Sequence, residues 1–400
     1  MQPFLFLLQL PMALMVAYLD CLSVGALLWR RSLPPAERRT RFAVLVPAHN
    51  EEQLLPRLLE SLANLGYPAD CYDVYVVADN CTDGTARVAG QVRNGLQPTV
   101  FERRDEHNLG KGHALTWLLD RIRERAGALE APPAYDAYAF VDADSVVSIN
   151  FLEVMDRHIT RGDAAIQCYY GVLNPGGSWA SALRQAALAL FNDLRPRGRD
   201  AIGLSAGLRG NGMCFSAATI ERFGWDSFAL AEDAEFHLTL VQGGICVTYA
   251  PEATVLGEMP VSLRQARSQN VRWERGRLQL LRRHGPAMLA TALRRRNPAI
   301  LDALTEQLVP PLSVLTAATT AWFIFSRFVG RGGVRALASG VMIGQLGYVL
   351  TGLWLVRARP RVYVALLGAP VYIVWKVWIY LLAAVNLGDA RWVRTSRSAE

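Results

Sequence analysis

Over residues 42–283 short apolar runs alternate with stretches of helical period. Residues 42–46, 74–78 and 138–141 are continuous apolar runs of strand length, the pattern of strands buried on both faces. Residues 51–65, 83–92 and 111–125 repeat their apolar positions at the spacing of an amphipathic helix. This order predicts an α/β fold around a parallel sheet, and such sheets bind ligands beyond the carboxyl ends of their strands. Residues 131–134, Ala-Pro-Pro-Ala, predict a loop before the strand that ends at Asp142.

A different pattern brackets this region. Residues 4–29 are apolar apart from Asp20, long enough to span a hydrocarbon layer that needs about 20 residues. No Lys or Arg precedes the run and it is too long for a cleaved signal peptide, so it reads as a membrane helix. Residues 308–326 and 336–356 carry no charge, whereas 362–387 has Lys376 at its centre, so that segment either spans or lies in the interface. Arg30, Arg31, Arg38, Arg39 and Arg41 follow the first run, which predicts an external N-terminus and a cytoplasmic middle region. Four spans would leave the tail, with Arg391, Arg394 and Arg397, outside and against the charge rule; a re-entrant last segment keeps it inside, and the charge count favours that. Asp20 reads as a helix-packing or interface residue.

Composition narrows the classes. The chain is 52% apolar and 19% charged, where globular proteins carry about 25% charged residues. Disorder is excluded and part of the chain belongs in lipid. The net charge of +7 comes from 42 basic and 35 acidic residues, and Lys111 and Lys376 are the only lysines. Six cysteines without a C-x-x-C pair exclude a zinc ribbon and fit a reducing compartment.

Polar residues gather where the strands end: Pro47-Ala48-His49-Asn50-Glu51-Glu52 after the first, and Asp79-Asn80-Cys81-Thr82-Asp83-Gly84-Thr85 after the second. Asn108-Leu109-Gly110-Lys111-Gly112 then opens a helix, and Asp142-Ala143-Asp144 closes a further strand. Helix capping by Thr82 or Asp83 accounts for any one such run, but together they line one rim. Asp142 and Asp144 have the spacing to hold a hard divalent cation, since Mg²⁺ takes one or two carboxylates plus phosphate oxygens. Lys111, between glycines at a helix start, has the character of a phosphate-reading group. Ala231-Glu232-Asp233 precedes an apolar helix at 236–241. Residues 262–283 form a basic amphipathic helix on which Gln269, Arg272 and Trp273 share a face. Its Arg264, Arg267, Arg275, Arg277, Arg282 and Arg283 would meet anionic headgroups. Gly207 to Cys214 is a glycine-rich loop that either borders a sugar or makes a tight turn.

In this order the motifs resemble those of the family 2 membrane glycosyltransferases of GT-A fold, related to cellulose, poly-N-acetylglucosamine and hyaluronan synthases. The resemblance covers residues 42–283. It implies an α/β GT-A (Rossmann-like) domain flanked by transmembrane helices: a first helix at 1–30, the cytoplasmic domain at 41–261, interface helices at 262–305, further membrane segments at 306–388 and a tail at 389–400. Asp79 matches the family's nucleotide-binding aspartate, Asp142 and Asp144 its D-x-D, Asp233 the base of its E-D pair, and Gln269, Arg272 and Trp273 its Q-x-x-R-W. Lys111 falls in the N-x-G-K-G stretch bordering the nucleotide. Asp233 and Arg272 are then catalytic, Asp144 with Asp142 holds Mg²⁺ or Mn²⁺, and His49, Glu51, Asp79, Lys111, Asp142, Glu232, Gln269 and Trp273 contact substrates.

Ala78 and Ala231 stand where many relatives carry an acidic residue and a threonine. Trp392, Thr395 and Arg397 resemble a C-terminal W-x-x-T-x-R. The resemblance implies an inverting enzyme of the inner (plasma) membrane that moves a sugar from a UDP-sugar to a growing polysaccharide. A one-step glycolipid synthase with a ceramide- or polyprenyl-type acceptor is the alternative, and a non-catalytic nucleotide-binding export subunit is the third reading. Partners are the UDP-sugar, a glycan or lipid acceptor and membrane lipids, with export partners or a homo-oligomer besides, and no nucleic acid.

Overall fold

The computed structural model describes residues 2–127, 135–176, 178–260 and 262–385. The loop expected at 131–134 and the tail with Arg391, Trp392, Arg394, Thr395 and Arg397 lie outside the described residues. The described residues form two compact units: Arg31–Leu173 with Ser205–Met259, and those up to Arg30 with Asn174–Leu204 and those from Pro260 to Val385.

The first unit is built on eight strands, β1 (Phe42–Ala48), β2 (Tyr72–Asp79), β3 (Thr99–Arg103), β4 (Ala137–Phe140), β5 (Ser145–Val147), β6 (Ala165–Val172), β7 (Met213–Ser216) and β8 (Thr248–Gly257). They lie in the order β3-β2-β1-β4-β7-β6-β8-β5. The first four are parallel, as the alternation predicts. Beyond β4 the sheet is mixed: β7 is antiparallel to β4 and β6, and β5 to β8, while β6 and β8 are parallel. The sequence pattern shows only the parallel part, because only the apolar strands are conspicuous in it. Within β5 to β8, polar Ser145, Gln167 and Ser216 break that signal.

Successive residues of β1 face opposite layers. Val44 and Val46 pack with Leu55, Leu58, Leu59 and Leu62 of the Leu55–Ala63 helix. Ala43 and Leu45 pack with Leu115, Leu118, Leu119 and Ile122 of the Lys111–Gly127 helix, in a layer that also holds Trp225 and Phe236. Each fully buried leucine contributes about 1.5–3 kcal/mol. The strands' carboxyl ends are thereby fixed from both sides.

In the second unit four helices, Gln2–Leu28, Leu312–Val329, Gly333–Leu355 and Pro360–Val385, are long and apolar enough to cross a membrane. Polar side chains pair between them: Trp322 Nε1 donates to Gln9 Oε1 (2.8 Å), and Thr319 Oγ1 to Gln345 Oε1 (2.7 Å). Asp20 faces the Gly333–Leu355 helix where glycine gives it room; a Cβ on Gly344 would lie 2.2 Å from Asp20 Oδ2. The basic helix, expected at 262–283, runs over Leu263–Arg295, with the Ser262 side chain capping its start. Lys376 Nζ donates to Asn270 Oδ1 (2.8 Å) and Glu274 Oε1 (3.2 Å) of that helix. Arg199, fully buried, pairs with Asp302 (2.9 Å) and Glu306 (2.8 Å) and donates to the Tyr18 hydroxyl (2.8 Å).

Candidate active site

At the carboxyl end of β2, Asp79 lies beside Arg103, its register partner at the end of β3. Arg103 Nη1 is 2.7 Å from Asp79 Oδ1, and the two side chains are only 5% and 9% exposed. Burial raises the Asp79 carboxyl above its ordinary pKa, and the hydrogen bond and charge of Arg103 oppose that rise. The other end of Arg103 grips Asp105 (2.8 Å) and the Asn108 carbonyl (2.9 Å). Asp105 in turn accepts from the Asn108 side chain and from the backbone N–H groups of His107 and Asn108, which lower its pKa to about 2. Asn80, in the left-handed region at φ 49°, ties β2 to this turn through both ends of its amide.

His49 Nδ1 donates to the Asp79 carbonyl oxygen (2.7 Å), which fixes the orientation of the ring. The Glu51 N–H donates to Thr85 Oγ1 (2.8 Å), and Asp83 receives the Glu52 and Thr85 N–H groups. Asp83 is therefore a loop staple, and the helix it precedes covers only Thr85–Ala89 rather than 83–92.

Lys111 stands at the start of its helix because its glycines permit it. Gly110 adopts φ 116°, and a Cβ on Gly112 would lie 2.1 Å from the Ser227 carbonyl oxygen. The Lys111 ammonium is 2.5 Å from Asp142 Oδ1, donates to the Gly210 carbonyl, and lies 3.8 Å from Glu232. Burial works against its charge, but Asp142, Glu232 and Asp233 outweigh burial and hold its pKa above the usual lysine value.

The D-x-D turn is held from behind by residues that sequence reasoning missed. Asn211, fully buried, accepts the Asp142 N–H at Oδ1 (3.0 Å) and donates through Nδ2 to Ser145 Oγ (2.7 Å). Ser145 Oγ donates to Asp144 Oδ1 (3.2 Å). Gln167, also fully buried, donates to the Asn211 carbonyl and accepts the Arg209 N–H, both at 2.8 Å. The glycine-rich loop is thus a tight turn, with Gly207, Gly210 and Gly212 at positive φ, and also a wall of the site. A Cβ at Gly210 would sit 3.3 Å from Asp233 Oδ2.

Glu232 and Asp233 occupy the first turn of the Glu232–Gln242 helix. Burial raises the Asp233 carboxyl, against the Ala234 N–H, Lys111 and Arg209, and with help from Asp142. Four carboxylates, Asp142, Asp144, Glu232 and Asp233, thus converge on this part of the rim with Lys111. Among the described residues no three His, Cys, Asp or Glu side chains are placed to hold a metal by themselves. A surplus of negative charge and an incomplete donor set suit a cation that arrives with anionic oxygens of its own.

Gln269, Arg272 and Trp273 lie together on the Leu263–Arg295 helix of the second unit. Gln269 is buried, and its Oε1 has no hydrogen-bond partner among the described residues.

The family model described as "Glycosyltransferase like family 2" matches residues 39–276, more than half of the chain. The chain belongs to glycosyltransferase family 2. Apolar helices flank its domain of GT-A fold. The chain is 25% identical over 252 residues to the probable glycosyltransferase YdaM of Bacillus subtilis (strain 168), covering 62% of this chain and 57% of that one. It is 24% identical over 312 residues to the beta-monoglucosyldiacylglycerol synthase of Nostoc sp. (strain PCC 7120 / SAG 25.82 / UTEX 2576), covering 72% and 64%. It therefore spans about three fifths of the length of these curated relatives. Among solved structures, the mannosyltransferase PcManGT of Pyrobaculum calidifontis, in complex with GDP-Man and Mn²⁺, matches 95% of this chain and all of its own. That match has a TM-score of 0.54 at 19% identity and speaks to the fold.

Proposed function

We propose that this family 2 enzyme transfers one sugar, with inversion, from a UDP-sugar to a lipid acceptor at the membrane surface. The observation that carries the reading is the Lys111–Asp142–Asp233 cluster at the strand ends, in a chain with four membrane-length apolar helices. Asp233 is the base: it removes the acceptor hydroxyl proton as that oxygen bonds to the anomeric carbon and the bond from that carbon to UDP breaks. Its raised pKa moves a carboxylate toward the range where proton abstraction is effective, a contribution of about 10²- to 10⁴-fold. Asp79 receives the nucleobase with Arg103 keeping its carboxylate ionised, and His49 and Glu51 border the same rim. Lys111 holds Asp142 in place beside the diphosphate. Asp144, with Asp142, would hold Mg²⁺ or Mn²⁺, which offsets charge on the departing diphosphate. The resemblance assigns Arg272 to the leaving group and Gln269 and Trp273 to the acceptor.

A lipid acceptor is favoured over the polysaccharide expected from the motifs by the similarity to the cyanobacterial relative, a synthase whose name specifies a glucosylated diacylglycerol. The Q-x-x-R-W signature does not separate the two. The arginines after the first helix support a cytoplasmic catalytic unit, so a reporter at Pro35 should be internal and one at the N-terminus external. Purified full-length protein in lipid nanodiscs, given a panel of UDP-sugars, should form a monoglycosylated lipid detectable by mass spectrometry, and Asp233→Asn should not. A polymer as the product would return the acceptor to a growing polysaccharide. UDP-sugar binding without any transfer would overturn the reading.

A further inference from the structure

Asp233 is presented by the first turn of the Glu232–Gln242 helix, whose cap position is held by Ala231, a residue with no side-chain acceptor for the helix start. Glu235 supplies an acceptor instead. Its Oε2 receives the backbone N–H groups of Phe228 and Ala229, both at 3.1 Å. Residues two apart on a helix do not share a face, so Glu235 grips this loop from a different side of the helix than the one that carries Asp233. A carboxylate in the first turn also suits the helix dipole.

The loop that Glu235 grips is seated on the helix that begins at Lys111. Trp225 is buried against Phe140, the last residue of β4, and against Phe236, with ring centroids 4.9 and 4.6 Å away. Its carbonyl oxygen accepts from Thr116 Oγ1. The Ser227 carbonyl rests on Gly112, where a Cβ would lie 2.1 Å from its oxygen, so no larger residue fits between helix and loop. The Phe228 ring, 46% exposed, stacks on His113 with centroids 4.3 Å apart and planes 12° from parallel. Residues 225–228 are thus attached to the first two turns of the Lys111–Gly127 helix and to the strand that leads to Asp142. Residues 229–231 alone separate this seated loop from the helix of Asp233, and Glu235 closes that gap.

We infer that Glu235 is a positioning residue for the base: by clasping the Phe228 and Ala229 N–H groups it holds Asp233 at a fixed setting relative to Lys111 and Asp142. The inference rests on the reading of Asp233 as the base. In that reading Lys111 and Asp142 lie on the donor side and Asp233 on the acceptor side, so the clasp sets how one substrate approaches the other. A misplacement of about 1 Å at the reacting atoms costs about 10²-fold in rate. Glu235 can prevent it without touching either substrate.

The test measures UDP release by the full chain in nanodiscs containing diacylglycerol, with UDP-glucose, UDP-galactose and UDP-N-acetylglucosamine as donors, and UDP binding by calorimetry in Mn²⁺. Glu235→Ala should lower kcat about 10- to 10²-fold, with the donor KM and the UDP affinity held within about twofold. Glu235→Gln, whose amide oxygen accepts the same two N–H groups, should regain most of the loss. Phe228→Ala removes a ring at the surface, leaves the core intact and should show the same split between kcat and KM. In an Asp233→Asn background Glu235→Ala should cost nothing further, because it acts through Asp233. A parental kcat in Glu235→Ala or in Phe228→Ala, a joint rise in KM, or a further loss in the double variant would overturn the positioning role and leave Asp233 as the base. A parental kcat in Asp233→Asn would overturn the base assignment and this inference with it.

Discussion

Replacing Arg103 with methionine should destabilise the catalytic unit far more than removing an arginine from its surface. The guanidinium lies 2.7 Å from Asp79 Oδ1, and its other amino group spans Asp105 and the Asn108 carbonyl. In Arg103→Met, Asp79 keeps only the Asn80 amide at 3.1 Å on that carboxylate, in a site where it is 9% exposed. Breaking a buried pair by removing one partner costs about 3–5 kcal/mol. For a unit of this size that corresponds to about 6–20 °C in Tm. The control is Arg57→Met, which removes a pair with Glu258 at 3.0 Å whose arginine is 60% exposed and should cost about 0–1 kcal/mol.

The loss should also depend on pH. Asp79 already has a raised folded-state pKa, so its contribution is fully present below the ordinary carboxylate value and is lost as pH rises through the folded value. Without Arg103 the folded pKa rises further, which widens that window upward. The deficit of Arg103→Met relative to the parent should therefore be largest near neutral pH and shrink as the medium is acidified toward pH ~4. Asp79→Asn combined with Arg103→Met should recover much of it. Thermal unfolding in detergent, followed by tryptophan fluorescence across pH, measures each quantity. An Arg103→Met deficit no larger than that of Arg57→Met, or independent of pH, would refute the argument.

Asp233→Asn should lower kcat by about 10²-fold or more with UDP affinity nearly intact, whereas Asp79→Ala should chiefly raise KM; a shared effect on KM alone would mean the base is elsewhere. The raised Asp233 pKa places the acid limb of the kcat profile above the ordinary carboxylate range, and that limb should vanish in Asp233→Asn. Asp144→Asn should weaken metal-dependent UDP binding measured by calorimetry, and full activity of the parent in EDTA would contradict the metal role. Trp273→Ala should suppress transfer more than hydrolysis of the UDP-sugar by water, and Arg272→Ala should suppress both; an unchanged ratio in Trp273→Ala removes Trp273 from the site. Lys376→Met should leave Glu274 without its ammonium partner between the last apolar helix and the basic helix and lower the Tm, with a Lys376→Met, Glu274→Gln double variant restoring part of it.

The parts of the fold that were legible in sequence are those whose signal is local. Apolar strands β1, β2 and β4 and the amphipathic Lys111–Gly127 helix announce themselves by period, and the aspartates at their ends follow from the rule that α/β sheets keep their ligands there. β6 and β7 carry polar residues and are joined by a segment that groups with the helical unit, so neither their direction nor their place in the sheet has a local trace. Arg103 could have been found as a charged residue ending a strand on the same rim, had Thr99–Arg103 been read as a strand. Asn211 and Gln167 had no such marker. Their hydrogen bonds join β4, β6 and the 207–212 loop, which meet only after the sheet has formed. Lys111 has the character of a phosphate-reading residue because of its glycines, and its partners Asp142 and the Gly210 carbonyl, from distant parts of the chain, had no trace in sequence.

Lys376 shows the same dependence on partners. In sequence, a lysine at the centre of an apolar segment argues against a full span, because an unpaired ammonium in hydrocarbon is costly. In the structure Asn270 and Glu274 receive it, and Trp378, two residues on, lies under Arg267 at 4.7 Å. The charge is thus a strap holding the last apolar helix to the helix that carries Q-x-x-R-W, and the desolvation objection to a span loses most of its force. Arg199 follows the same logic with Asp302 and Glu306. At both places in the helical unit a buried cation meets buried carboxylate, which makes each charge a link between helices.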